Sequence, residues 1–229
     1  MTSTPNLLFL HASETPGLVA ATHAARVEAR VLEARGLGAP ALLAEVEAVL
    51  AALGMSSAEL EGVVVSIGPG SFTGIRVGIA TALGLAIARG WRPWVCDSLI
   101  AEAAACLARQ SPVAVCHDAR RGEVYAALYE GGPVPLLRIA PFCATPRAAA
   151  SRLQAKIQQG TRATLVGSGA PLLGAESGEW ILHAPIAPRE LGAAVFDLVA
   201  QGVLSAVDPM RLGPLYIRNP DIGRASLGA

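Results

Sequence analysis

Lysine is nearly absent from this chain: of its 18 basic residues only Lys156 is a lysine, the rest being arginine. Charge of either sign is sparse, at 16% of residues, and the 18 acidic side chains cancel the 18 basic ones. Aromatics make up 4%, and no stretch interleaves them with basic residues. A protein that grips a nucleic-acid backbone unaided needs a basic face. Any such contact is therefore expected to be weak, or borrowed from a partner. The four cysteines, at 96, 106, 116 and 143, form no CxxC pair and no evident disulfide framework, which fits reduced thiols in a cytoplasm. No basic segment precedes the short apolar run at Leu7–Leu10, so no signal peptide is expected. The longest apolar helical run, Val77 to Ala88, falls short of the ~18–20 residues of a membrane span.

What the chain has is apolar residue, 52% of 229, ample for one large domain or two lobes sharing a core. Residues 7–35 read as three strands. In the third, Val27, Ala29 and Val31 alternate with Glu28 and Arg30, the period of a half-buried strand. Pro40 opens a helix in which Leu42, Leu43, Val46, Val49, Leu50 and Leu53 recur at helical spacing, and Gly54 closes it. Ser56 and Glu59 form a capping box. The strand GVVVSIG, a glycine-rich loop, a helix from about Ile75 to Arg89, the strand WVCD and the helix SLIAEAAACLAR follow. This βββαβαβα order predicts a mixed sheet backed by helices. The second half echoes it in reduced form: PVAVCHD, GEVYAALYE and PLLRIA as strands, a helix from Pro146 to Gly160, strands TLVGSG and EWILHA, and a last helix from Pro188 to Gln201. No clear linker divides the halves. Residues 1–105 and 106–229 are the expected lobes.

The loop Gly68-Pro69-Gly70-Ser71-Phe72-Thr73-Gly74 joins a strand to a helix. Glycine permits tight positive-φ geometry, and a helix N-terminus offers free N–H groups to an anion. Gly68, Gly70, Ser71, Thr73 and Gly74 are therefore candidate phosphate-loop residues. Known signatures fit badly, however. A P-loop needs Lys-Ser/Thr where Ile75-Arg76 stands, the nucleophile elbow needs G-x-S-x-G, and the dinucleotide fingerprint is one residue out. Asp97 ends the next strand roughly where a ribose-binding acid would sit, but it serves equally as a plain N-cap. A glycine turn that simply lets strand and helix pack closely explains the loop as well.

The run GPGSFTG-x-R-x-G before an Ala/Gly-rich helix resembles the hallmark of the TsaB (YeaZ) family. Asp118-Ala119-Arg120-Arg121-Gly122-Glu123-Val124-Tyr125 resembles that family's second-lobe hairpin, and Pro214-Leu215-Tyr216-Ile217-Arg218 its C-terminal signature. All three occur in the family's order. The resemblance implies an α/β ASKHA fold, the architecture of actin, Hsp70 and sugar kinases, with two ribonuclease-H-like lobes around a cleft. It also implies a role in making the threonylcarbamoyladenosine of tRNA, as partner of a TsaD-type transferase and a TsaE-type ATPase. The chain would pair with itself when alone and reach tRNA only through the complex. ATP or ADP at the complex interface is allowed by the resemblance, not required. Asp118, Arg120, Gly122 and Glu123 are the family-motif hairpin residues.

Departures cluster where phosphate chemistry would be. Many members of that family have an LAIDTST-like start; here His11 stands at the acid position, and imidazole is a poor ligand for Mg²⁺. Glu14 lies three residues away, in the turn. Gly36–Pro40 stands where relatives carry a His-Ser pair, and histidines 11, 23, 117 and 183 offer no H-x-x-x-H metal pair. His23 reads as a half-exposed strand residue and His117 as a hairpin hydrogen-bonder. No metal site is expected and no catalytic residue is assigned; the alternative is a nucleotide-dependent enzyme or peptidase-like hydrolase acting alone. Gly74, Gly78, Ala82 and Ala86 form a row of small side chains beside Ile75, Ile79, Leu83 and Ile87, and an apolar helix needs cover on most sides. With family members pairing through their first two helices, the expected partner interface is Leu43, Val46 and Leu50 with Ile75, Gly78, Ile79, Ala82, Leu83 and Ala86.

Overall fold

The computed structural model describes residues 5–33, 38–107, 112–130, 132, 134–176 and 178–218. Its first sheet is built from β1 (Leu7–His11), β2 (Gly17–His23), β3 (Arg26–Leu32), β4 (Gly62–Ser66) and β5 (Trp94–Cys96) in the order β3-β2-β1-β4-β5. β1 pairs antiparallel with β2 and parallel with β4, so it is the central strand. Alternation along it feeds two cores. Leu8 and Leu10 point to α1 (Ala39–Leu53) and α2 (Phe72–Arg89), while Leu7 and Phe9 point to α3 (Ser98–Leu107) and the distant α6 (Pro188–Ala200).

The second sheet repeats this plan with β6 (Val113–Arg120), β7 (Glu123–Glu130), β8 (Leu136–Ala144), β9 (Ala163–Val166) and β10 (Trp180–Leu182), ordered β8-β7-β6-β9-β10. β6 pairs antiparallel with β7 and parallel with β9, as β1 does with β2 and β4. One face packs on α4 (Pro146–Gln154) and the short α5 (Ala170–Gly174). The other packs on α3, whose Leu99, Ala103 and Cys106 join Val113, Val115 and Tyr129. α3 thus lies between the sheets, with Ala101 turned to the first and Leu99 to the second.

The capping signals act as read. Ser56 N–H donates to Glu59 at 2.8 Å, and the Thr145 hydroxyl caps α4 by accepting from the Ala148 N–H. Gly54 and Gly90 close α1 and α2 with left-handed φ of 67° and 68°. Several boundaries differ. α2 starts at Phe72 rather than Ile75 because the Ser71 hydroxyl accepts the Gly74 N–H, adding a turn. At 18 residues α2 is long and apolar enough to cross a membrane, contrary to the sequence expectation, yet it is laid along the sheet through its buried row. α4 stops at Gln154, and the run to Gly160 is a series of turns. β8 continues through Pro141 to Ala144, and α5 was not anticipated.

The division at residue 105/106 does not follow the sheets. α6 returns to the first lobe, where Leu191, Val195 and Phe196 pack on Phe9, Leu18 and Ala20. Ala206 then bridges to Trp94 on β5, and Leu215 N–H donates to the Ile67 carbonyl at 2.8 Å. An amphipathic stripe states that a helix needs an apolar floor, not which sheet supplies it.

Candidate functional site

The turns at one end of both sheets enclose a cleft of about 730 Å³. The β1–β2 turn contributes Ser13, Glu14 and Thr15; the glycine-rich loop contributes Pro69, Gly70 and Ser71. The β6–β7 hairpin adds Asp118 and Arg120, and the segment after α6 adds Leu215 to Arg218.

The loop's glycines answer to the β1–β2 turn. A Cβ on Gly70, whose φ is 151°, would stand 2.0 Å from the Ser13 carbonyl oxygen; one on Gly74 would stand 1.8 Å from that of Ala12. Ser71 N–H also donates to the Ser13 carbonyl at 2.7 Å. The glycines thus let strand, turn and helix meet at backbone contact, the close-packing reading. Of the candidate phosphate-loop residues, Gly70 and Ser71 face the cleft, Gly68 lies against the Leu215 carbonyl, Gly74 is buried and Thr73 is exposed outside the cleft. Asp97 is the N-cap of α3, accepting from Leu99 and Ile100 N–H groups at 2.8 and 2.9 Å. Burial raises its pKa against those two bonds.

The acid position of the fold is turned away from the cleft. His11 is buried, stacked on Phe9 at 5.7 Å, with Nδ1 3.3 Å from the Ser13 hydroxyl. Burial lowers its pKa to about 4, so the ring is neutral at ordinary pH. Glu14 does reach the cleft, but both its oxygens are engaged: Oε1 lies 3.1 Å from His117 Nδ1, and Oε2 accepts from the Ser168 hydroxyl at 2.8 Å. His117 Nε2 lies 3.1 Å from Oε1 of Glu102 on α3. These are ion-pair contacts rather than aligned hydrogen bonds. Burial alone would depress the His117 pKa, but the Glu14 and Glu102 carboxylates outweigh it and hold it well above the usual range. Burial pushes the Glu14 pKa up, but His117, joined by the Ser168 hydroxyl, more than reverses it. A buried imidazolium thus ties the first lobe's turn, α3 and the second lobe together.

The remaining cleft carboxylate, Asp118, accepts from Arg120 N–H at 2.7 Å and pairs with its guanidinium at 3.3 Å. Gly122 makes the hairpin turn at φ 74°, and Glu123 pairs with Arg218 at 2.7 Å. The C-terminal signature is a strap: Tyr216 stacks on Phe72, accepts from Arg76 Nε at 3.0 Å, and leads to Arg218 on the second lobe. A hydrated Mg²⁺ needs carboxylate oxygens free to bind it or its waters. With His11 turned inward and Glu14 and Asp118 committed, the residues present do not fit a metal–nucleotide. Gly36 and Leu37 of the Gly36–Pro40 stretch lie outside the described residues.

The sequence did not point to Glu102 or Ser168, and it gave His117 a different role. His117 is a core ion-pair centre, not a hairpin hydrogen-bonder. The signal was period 2: if Asp118 faces the cleft, His117 faces the interior, and Glu102 is the lone charge in an alanine-rich helix. His23 is half-buried on β2, with Nδ1 3.2 Å from Asn6 Oδ1. The expected interface row needs correction. Val46, Leu50, Ile75, Gly78, Ile79, Ala82 and Ala86 are all buried on the first-core side, and Leu83 is half-buried. Small residues there let α2 approach the sheet, with Gly78 within 3.6–3.8 Å of Ala12 and Val65 through a notional Cβ. The face left open is the neighbouring one. A groove of about 470 Å³ between α1 and α2 is lined by Leu43, Val77, Ala80, Gly84 and Leu85, with Arg76 as its one charge and Ile87 exposed nearby.

Two ribonuclease-H-like lobes around such a cleft define an actin-like α/β protein of the ASKHA class. The sequence profile of the family described as TsaD: tRNA N6-adenosine threonylcarbamoyltransferase matches residues 39–156, more than half the chain. A solved Pseudomonas aeruginosa protein, described as uncharacterized with similarity to peptidase YeaZ, superposes with a TM-score of 0.80 at 25% identity. It is covered completely, by 93% of this chain. YeaZ from Pseudomonas aeruginosa superposes with a TM-score of 0.76 at 23% identity, over 93% of this chain and 99% of that one. An uncharacterized protein of Mycobacterium leprae (strain TN) is 36% identical over 170 residues, which cover 73% of this chain; the chain spans 40% of that relative's length. The chain belongs to the TsaD family and is of its YeaZ (TsaB) type.

Proposed function

We propose that this protein is a non-catalytic partner subunit in the formation of N6-threonylcarbamoyladenosine in tRNA, activating a TsaD-type threonylcarbamoyltransferase in the cytoplasm. The family supports the pathway. The observation that carries the non-catalytic part is the state of the cleft: the acid position is a buried neutral histidine, and both remaining carboxylates are internally paired. The open apolar groove between α1 and α2 supports docking of the transferase there, and of a second copy of this chain when it is alone. A TsaE-type ATPase would complete the assembly, tRNA would be held through the complex, and any nucleotide at the junction would need its metal ligands from the partner.

The test is reconstitution. Transfer to a tRNA transcript is measured with a TsaD-type enzyme, with and without this chain, alongside ATPase and protease assays of the chain alone. Activation by the wild type, its loss with Ala80→Arg, and no hydrolysis by the isolated chain are expected. The groove is almost wholly apolar, so an unpaired guanidinium there costs several kcal/mol and removes a micromolar association. Mg²⁺-dependent turnover by the isolated chain, abolished by Asp118→Asn, would establish the independent ASKHA enzyme instead.

A further inference from the structure

The neutral total charge hides a segregation. From residue 131 to residue 175 the chain carries five basic side chains, Arg138, Arg147, Arg152, Lys156 and Arg162, and no carboxylate. That leaves 13 basic residues against 18 acidic ones for the rest of the chain. The fold then gathers three of the five on one surface. Ala149, Ala150 and Leu153 turn α4 onto the second sheet, so Arg147, Arg152 and Lys156 fall on the exposed outer strip of the helix and of the turn that follows it. No carboxylate among the described residues pairs with any of the three; Glu130, which precedes the stretch, is taken by Arg138. Arg152 lies over the Phe142 ring at 4.1 Å, a contact that fixes the plane of its guanidinium and leaves its N–H groups unspent among the described residues. Arg152 and Lys156 stand four residues apart and repel each other, a cost that an anion laid across them would relieve.

We infer that this outer face of α4 is a contact surface for the phosphate backbone of a structured RNA. Its chemistry separates it from a protein-docking face. Protein interfaces centre on aromatic or aliphatic anchors. Here the exposed residues between the cations are Ala148, Ser151 and Ala155, too small to anchor anything. Gln158 and Gln159, exposed on the following turn, add neutral donors of the kind that bind phosphate and sugar. Glu179 shares that turn's depression and closes the patch on its far side. With no exposed aromatic to stack a base, the face reads charge rather than sequence. Three cations give a weak, salt-sensitive hold, in keeping with a chain that leaves most of the RNA to its partner. The choice of RNA rests on the role proposed above; the position and sign of the patch do not.

The experiment follows the fluorescence anisotropy of a labelled tRNA anticodon stem-loop with the full chain, from about 25 to about 200 mM salt. Wild type is expected to bind with a Kd of about 10–100 µM at the lowest salt. Its log K should fall against log salt with a slope of about −3, roughly one for each of Arg147, Arg152 and Lys156. Arg147→Glu/Arg152→Glu/Lys156→Glu should weaken binding at least about tenfold. Arg147→Gln/Lys156→Gln, which keeps Arg152 on Phe142, should flatten the slope by about 2. Arg26→Glu/Arg92→Glu/Arg211→Glu makes the same change of net charge at exposed positions elsewhere, and should weaken binding by less than about threefold. In the reconstituted complex the glutamine pair should raise KM for tRNA at least about threefold and leave kcat unchanged. Equal loss in the two glutamate triples, or no binding by wild type at the lowest salt, overturns the assignment. So does loss of co-elution of the glutamine pair with the TsaD-type enzyme, which would make the face a protein contact. A chain that fails to activate the transferase, yet shows the stated salt slopes, would sink the proposed function and leave this surface standing.

Discussion

Burial of a neutral histidine at the fold's acid position makes this protein acid-sensitive in a way that one substitution removes. His11 has a folded-state pKa of about 4 against 6.5 in the unfolded chain, caused first by burial and opposed in part by Glu14. A depressed pKa means that the stabilisation is complete above 6.5 and is lost as pH falls towards 4, because the unfolded chain takes up a proton the folded one refuses. The whole loss amounts to roughly 3 kcal/mol, and about 2 kcal/mol of it falls between pH 7 and pH 5. A domain with roughly 5–15 kcal/mol in hand feels that. His117 acts on the opposite limb. Its raised pKa gives stability that is complete below 6.5 and lost as pH rises beyond it, so the wild-type profile should peak near 6.5. His11→Asn keeps a polar group beside Ser13 but cannot titrate. Urea unfolding at pH 7, 6 and 5 should show wild type losing about 2 kcal/mol more than His11→Asn. Groups common to both proteins cancel in that difference. Parallel pH profiles would refute the reasoning and mean that His11 is solvated or charged in the folded state.

Gly74 and Gly78 lie one helical turn apart and should respond oppositely to alanine. Gly74→Ala drives a methyl into the Ala12 carbonyl at 1.8 Å and should cost at least about 2–3 kcal/mol in urea unfolding. Gly78→Ala, with contacts of 3.6–3.8 Å, should be neutral or stabilising by up to about 1 kcal/mol. Ala82→Arg, at a residue expected from sequence to lie in the partner interface, should instead unfold the monomer, since Ala82 is fully buried on the sheet side of α2. Ala80→Arg on the open side should leave the circular dichroism spectrum and melting temperature of the monomer intact.

By itself the sequence determined the elements and the family. Helical spacing at Leu42–Leu53, the capping box at Ser56, the alternation along β3 and the glycine stops at 54 and 90 are local, and local chemistry suffices to read them. The three motifs in order carried the fold and its class. Tertiary structure decided which side of each element meets which neighbour. The small-residue row of α2 could serve a partner helix or the sheet beneath, because close approach is the same physics in both; only the packed core shows that the sheet took it. α6 could have belonged to either lobe, since an apolar stripe names no partner. His11, Glu14, Glu102, His117 and Ser168 are spread over more than 150 positions of chain. Whether a charge among them is paired, neutralised or left free depends on distances of about 3 Å that arise only when the two sheets close on α3.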